Sequence, residues 1–91
     1  VEYVSELNAV REHHLAARDR CMDRIERDLR AAARQRGHKL PVPTTVAARG
    51  LMSLVDGLIQ NWLLDPGAFD LVATGRKTLD TYAAGLGLNA R

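Results

Sequence analysis

Cysteine is nearly missing from this sequence. Cys21 stands alone, so no intramolecular disulfide can form, and no Cys/His spacing suits a zinc site. A lone thiol outside any framework fits a reducing cytoplasm, which is the expected location. Proline occurs at only three positions, 41, 43 and 66, which leaves long stretches free to be helical. No apolar run approaches the roughly 18 residues that a membrane span needs, and no basic-then-apolar leader opens the chain. Charge of one sign is scarce as well. Thirteen basic side chains against eleven acidic ones leave a formal net charge of +2, too little to argue for nucleic-acid binding by electrostatics alone. No nucleophile, base and orienter stand in a recognisable grouping, so neither an enzyme nor a cofactor is expected. Gly85-Leu86-Gly87 is no phosphate loop, because no strand precedes it and no helix follows.

What is there is helix. The chain of 91 residues allows one domain, and a domain this short often leans on a partner for stability. It opens with Val1 and not Met, which predicts a fragment of something longer. From Glu2 to Arg36 there is neither Pro nor Gly, and apolar residues recur at helical spacing. Gly37 suits a left-handed C-cap there, with Arg34 and Arg36 near the negative end of the helix dipole. Pro41 and Pro43 mark a linker. A second helix is expected from Thr44 or Thr45, whose hydroxyls can cap free N–H groups, to Leu64, where Asp65-Pro66-Gly67 ends it. Asp70 suits the N-cap of a third, from Leu71 to Ala84.

These helices do not suit a closed three-helix unit. At 1.5 Å per residue they measure about 50, 30 and 20 Å, so the first outruns the other two. Its seam, Tyr3, Leu7, Val10, His14, Ala17, Cys21, steps by four and three before shifting to Ile25, Leu29 and Ala32. The second helix is apolar on nearly every side, through Val46, Ala47, Ala48, Leu51, Met52, Leu54, Val55, Leu58, Ile59, Trp62 and Leu63. Such a helix has to be buried on several sides, at about 1.5–3 kcal/mol per large aliphatic side chain. Neighbours that the chain does not itself supply are therefore expected. Gly50 and Gly57 each cost about 1 kcal/mol relative to Ala inside a helix, which points to close helix–helix approach.

Among polar residues, His13 and His14 are adjacent, diverge by about 100° on a helix, and make no metal site. His14 interrupts the apolar seam, either as a histidine satisfied by a neighbour or as a polar group facing a cavity. Arg20, Arg24, Arg27 and Arg34, interleaved with Asp19, Asp23, Glu26 and Asp28, read as a solvated salt-bridged face or as a charged partner site. The stripe Arg49, Ser53, Asp56, Gln60 is the one wet face of the second helix, or lines a cavity or interface where Asp56 needs a partner to stay charged.

The segment from Gly50 to Pro66, with its Asp56-Gly57-Leu58 and Asn61-Trp62-Leu63 strings, followed by Phe69-Asp70-Leu71, resembles the C-terminal domain of TetR-family repressors of the AcrR-like branch, which control drug-efflux pumps. The long first helix, with its Glu2-Tyr3-Val4 start and Asp23-Arg24-Ile25-Glu26, is similar in length and phase. The resemblance covers about Glu2 to Leu86. It implies an all-α fold of long antiparallel helices. Residues 1–91 would be the C-terminal ligand-binding and dimerisation domain of a transcriptional repressor whose N-terminal helix-turn-helix is absent here. Operator DNA would be a partner only through that missing head, and a homodimer would form as a four-helix bundle of the last two helices and their twins.

The resemblance also implies a small-molecule effector, apolar or cationic, held by His14, Cys21 and Ile25 with Met52, Val55, Asp56 and Ile59 across from them. Asp56 would attract a positive group, and His14 would make one hydrogen bond. The dimer face would hold Gly50, Leu54, Gly57, Leu58 and Asn61 with Leu79, Tyr82, Ala83 and Leu86. The alternative is a stand-alone helical protein–protein interaction module, without DNA or ligand binding. Either way, these 91 residues are expected to give no sequence-specific shift of duplex DNA. Any weak binding should disappear as salt rises, as phosphate contacts alone require; a salt-resistant shift of one operator in a mobility assay would contradict this.

Overall fold

The computed structural model describes residues 2–88, with side chains from Val4 onward, so Tyr3 of the predicted seam lies outside the described side chains. Three helices follow one another: α1 (Glu2–Gln35), α2 (Thr44–Leu64) and α3 (Leu71–Gly85). The described residues contain no strand, as the periodicity predicts, and each end falls within a residue of its expected place.

The stops and starts follow local chemistry. Gly37 takes φ 59° after α1, and the His38 N–H reaches back to the Ala33 carbonyl at 2.9 Å, which is the Schellman way of satisfying a helix end. α3 ends in the same manner, with Gly87 at φ 78° and Leu88 N–H donating to Ala83 O at 2.9 Å. The Asp70 side chain accepts from the Ala73 N–H at 2.9 Å and caps α3 as expected. The expected Thr cap of α2 does not form. Pro43 occupies the N-cap without a side-chain bond, and its carbonyl accepts from the Ala47 N–H at 3.0 Å. Thr44 is already the first helical residue, so its hydroxyl lies past the position from which capping works.

α2 is the middle element. α1 packs along one side of it and α3 along another, while α1 and α3 do not pack along their lengths. The buried residues are few: Met22, Leu29 and Ala33 from α1, Ala47 and Ala48 from α2, and Leu86 just past α3. Ile25, Leu40, Met52, Tyr82 and Leu88 close around them. Tyr82 ties α3 to α2 by donating its hydroxyl to the Ala47 carbonyl at 2.7 Å. Gly50 makes room for that ring, since a Cβ there would run into the Tyr82 hydroxyl. The His38 ring likewise lies where a Cβ on Gly87 would project, so the terminators of α1 and α3 lock together at one end of the molecule.

The result is a slab of 55 × 34 × 15 Å. Since one helix with its side chains is about 10–12 Å across, the slab is a single layer. Its radius of gyration of 16.4 Å exceeds the roughly 12 Å of a compact chain of this length. Its accessible surface of 7089 Å² exceeds by about 1,800 Å² what a self-contained monomer of this mass exposes. The apolar residues of α2 that demanded burial are therefore partly bare, with Leu63 64% and Leu64 84% exposed.

The Gly50–Tyr82 contact makes a testable prediction. Gly50→Ala should destabilise the fold by about 1–3 kcal/mol in urea denaturation, as overpacking does. Tyr82→Phe should cost about 1 kcal/mol through its lost hydrogen bond. The double variant should cost less than the sum, because removing the hydroxyl relieves part of the clash; strict additivity would refute the contact.

Candidate functional site

A single layer has two broad faces, and the sequence makes them chemically different. On one face a groove of about 340 Å³ is lined by Ser53, Leu54, Gly57, Leu58 and Asn61 of α2 with Phe69 and Thr74. Among its polar side chains Asn61 is tied back to its own helix, and so are Thr78 and Thr81 further along α3. The Asn61 amide donates to the Gly57 carbonyl at 2.7 Å. Thr78 donates to the Thr74 carbonyl at 2.6 Å, and Thr81 to that of Lys77 at 2.8 Å. Thr74, Thr78 and Thr81 step by four and three, so they share one side of α3. On this small-residue face the Asn61 amide and the Thr78 and Thr81 hydroxyls, already bonded within their own helices, therefore lose little on dehydration. Gly57 sits in its middle with nothing within 4 Å of where a Cβ would be. Nothing within the chain uses the space that this glycine leaves.

On the opposite face a groove of about 280 Å³ is lined by Val55, Leu58 and Ile59 with Leu71, Val72, Gly75, Arg76 and Leu79. Apart from Arg76 at its edge it is hydrocarbon. Leu58 forms part of both grooves.

α1 extends both faces. Its stripe of Met22 and Leu29 is buried in the shared core. By the 100° step of a helix, Asp19, Asp23 and Glu26 flank that stripe on one side, and Ile25, Cys21 and His14 on the other. The acidic flank forms a groove of about 320 Å³ with Thr45 and Arg49 of α2. Thr45, Arg49, Ser53 and Gly57 step by four along α2, so this polar groove leads into the small-residue face. His14, Cys21 and Ile25 consequently belong to the aliphatic side. His14 and Cys21 are exposed and Ile25 is half-buried.

The predicted effector set is thus only partly assembled. Val55 and Ile59 line the aliphatic groove, with His14, Cys21 and Ile25 on the same side of the slab. Met52 packs against the core instead. Asp56 does not wait for a cationic ligand: its carboxylate already receives the Arg18 guanidinium at 2.8 Å. The groove also lies between α2 and α3, where the sequence reading expected it between α1 and α2. Leu71 and Val72 of this groove were not singled out, and Leu79 was assigned to the dimer face. Their spacing on α3 was the available signal. Arg18 was missed because its partner stands 38 residues away, beyond any local pattern.

The predicted dimer set divides in a similar way. Leu54, Gly57, Leu58 and Asn61 come together on the small-residue face. Gly50 is covered by Tyr82 of its own chain. Tyr82 and Leu86 turn inward, Leu86 being buried in the core. Leu79 lines the aliphatic groove, and Ala83, one turn on, follows it to that side. The larger α3 residues expected at the dimer face look inward within the chain, towards α2 and the aliphatic groove. The side left over is Thr and Gly.

No group of three or more His, Cys, Asp or Glu among the described residues is placed to hold a metal ion. No helix among them is long and apolar enough to cross a membrane. The family model that matches this chain is described as BetI-type transcriptional repressor, C-terminal, and it matches residues 3–87. No curated protein and no solved structure matches.

Proposed function

We propose, since the chain belongs to the TetR-family group of BetI-type transcriptional repressor C-terminal domains, that it is the regulatory part of a transcriptional repressor and works as a homodimer. The observation that carries this reading is the single helix layer with its roughly 1,800 Å² of surplus surface. A partner in a standard interface loses about 800 Å², so one such contact would cover only part of the surplus, and both faces call for cover.

The small-residue face is the one proposed for the second copy. Gly57 and the tied-back Asn61, Thr78 and Thr81 suit close approach of helix to helix, and a two-fold axis places the same patch on both copies. The aliphatic face is proposed for the effector, with Val55, Ile59 and Leu79 as its floor and His14 as its polar neighbour. An apolar groove with a few placed polar groups is the usual form of a small-molecule site. Asp56 is engaged by Arg18, so the reading favours an apolar body over a bare cation. The likeness of the Asp56-Gly57-Leu58 and Asn61-Trp62-Leu63 strings to the AcrR-like branch supports a repressor of a drug-efflux system, acting in the cytoplasm on operator DNA through a separate head.

Two measurements test the two faces. Gly57→Leu adds bulk where the chain itself has open space, so helicity by circular dichroism should stay at the parent level. Sedimentation should show the dimer weakened at least tenfold, and a parent chain that is a well-folded monomer at micromolar concentration would overturn the dimer. For the effector face, calorimetric titration of the intact regulator with apolar aromatic ligands should give weaker binding in His14→Ala and Ile59→Ala. A response equal to the parent's would remove both residues from the site.

A further inference from the structure

The aliphatic groove between α2 and α3 is hydrocarbon from both helices, and the one charged residue that lines it is Arg76. On α3 the residues Val72, Arg76, Leu79 and Ala83 step by four, three and four, so a guanidinium stands in the middle of an otherwise apolar stripe. No carboxylate answers it. Two ion pairs form among the described residues, Arg18–Asp56 and Arg30–Glu26, and Arg76 is in neither. Asp80 lies four residues on, but a cation preceding an acid is the weaker order on a helix. The acids on the flank of α1 line a different groove, with Arg49 of α2. The floor of the aliphatic groove also has a notch. Gly75 lines it, and nothing lies within 4 Å of where a Cβ on Gly75 would be. A wall laid over the groove, by a second copy or by another part of a longer chain, would enclose an occupant and leave this lining as it is.

We propose that the effector of the aliphatic groove is a small amphipathic anion, an apolar tail carrying one carboxylate, with its head at Arg76 and its tail over Gly75. The inference rests on the reading of this groove as the effector site and names the ligand class that the reading leaves open. Each methylene that the tail buries strengthens binding by about fourfold, but hydrocarbon alone does not choose between head groups. Arg76 does. Its planar fork takes a carboxylate through two parallel hydrogen bonds, and its methylene stem can follow the apolar wall while the head stays at the rim. An ammonium head would meet the guanidinium as a like charge, with no acid in the groove to offset it. Arg76 is exposed, so the pair is partly screened and worth a factor of about two to five. The groove's volume of about 280 Å³ is at the small end of ligand sites, which suits a medium-chain acid.

The test is calorimetric titration of the whole chain with octanoate, octanol and octylammonium, each below the concentration at which it self-associates. At low salt octanoate should bind about two- to fivefold tighter than octanol, and octylammonium more weakly than octanol. Raising salt to about 1 M, where the screening length falls to about 3 Å, should remove most of the octanoate advantage without weakening octanol. Arg76→Gln should bring octanoate down to the level of octanol and leave octanol unchanged. Gly75→Leu fills open space, so helicity by circular dichroism should stay at the parent level, while all three ligands weaken about tenfold or more as the bulk of several methylenes takes their place. Octanoate and octanol binding alike in the parent, or a difference that survives Arg76→Gln, overturns the anionic head and leaves the groove as an apolar effector site. If none of the three binds, or if Gly75→Leu binds them like the parent, the groove is not the effector site, and the reading beneath the proposal fails with it.

Discussion

Ala47 and Ala48 carry no exposed surface at all, and the rest of the molecule depends on their being small. They are consecutive, so they point about 100° apart on α2, and two different neighbours come close at one level. Tyr82 of α3 hydrogen-bonds to the Ala47 carbonyl, and Met22 and Leu29 of α1 join both alanines in the core. A larger side chain at either position would push one neighbour off. This convergence near the start of α2 is where the chain has an interior. Everything further along α2 has a helix on two flanks and nothing above or below it.

That arrangement explains why so many aliphatic side chains remain in contact with water. A layer one helix thick can hide the edges along which helices touch, but not its faces. Val72 is 69% exposed on α3, and burying a side chain of this kind is worth about 1.5–3 kcal/mol. The two faces solve this differently. One presents Gly57 with Asn61, Thr78 and Thr81, whose side-chain hydrogen bonds turn back to their own helices. The other presents branched hydrocarbon. Two such unlike surfaces suit two unlike occupants, one a flat backbone-to-backbone contact and the other a shaped apolar body.

Much of this was legible in the sequence, for identifiable reasons. Helix limits were readable because Gly37, the Asp65-Pro66-Gly67 cluster and Asp70 act within one turn of themselves. The shortage of neighbours was readable because α2 is apolar on more sides than two helices cover. The faces of α3 were not. Tyr82 and Leu86 read as interface residues because they are large, yet they are what α3 uses to reach α2. Thr78 and Thr81 gave no signal, because a sequence does not show that their hydroxyls turn back to the Thr74 and Lys77 carbonyls. Asp56 read as a residue in need of a partner, which was correct, but the partner was fixed by the packing of α1 against α2 and not by local spacing.

The interlocked helix ends have a consequence for how the chain folds. A Schellman ending is usually a local affair, complete within six residues. Here the turn at Gly87 packs on the ring of His38, which belongs to the connection between α1 and α2. The end of α3 is therefore finished only when a segment some fifty residues earlier is already in place. The α2–α3 hairpin alone would lack both that ring and the Met22 and Leu29 side chains of α1 that share the core with Leu86. Folding of this small chain should therefore be cooperative from end to end, with α1 acting as the template on which the hairpin closes. Its last turn should share in the global unfolding transition where the ends of most helices fray freely.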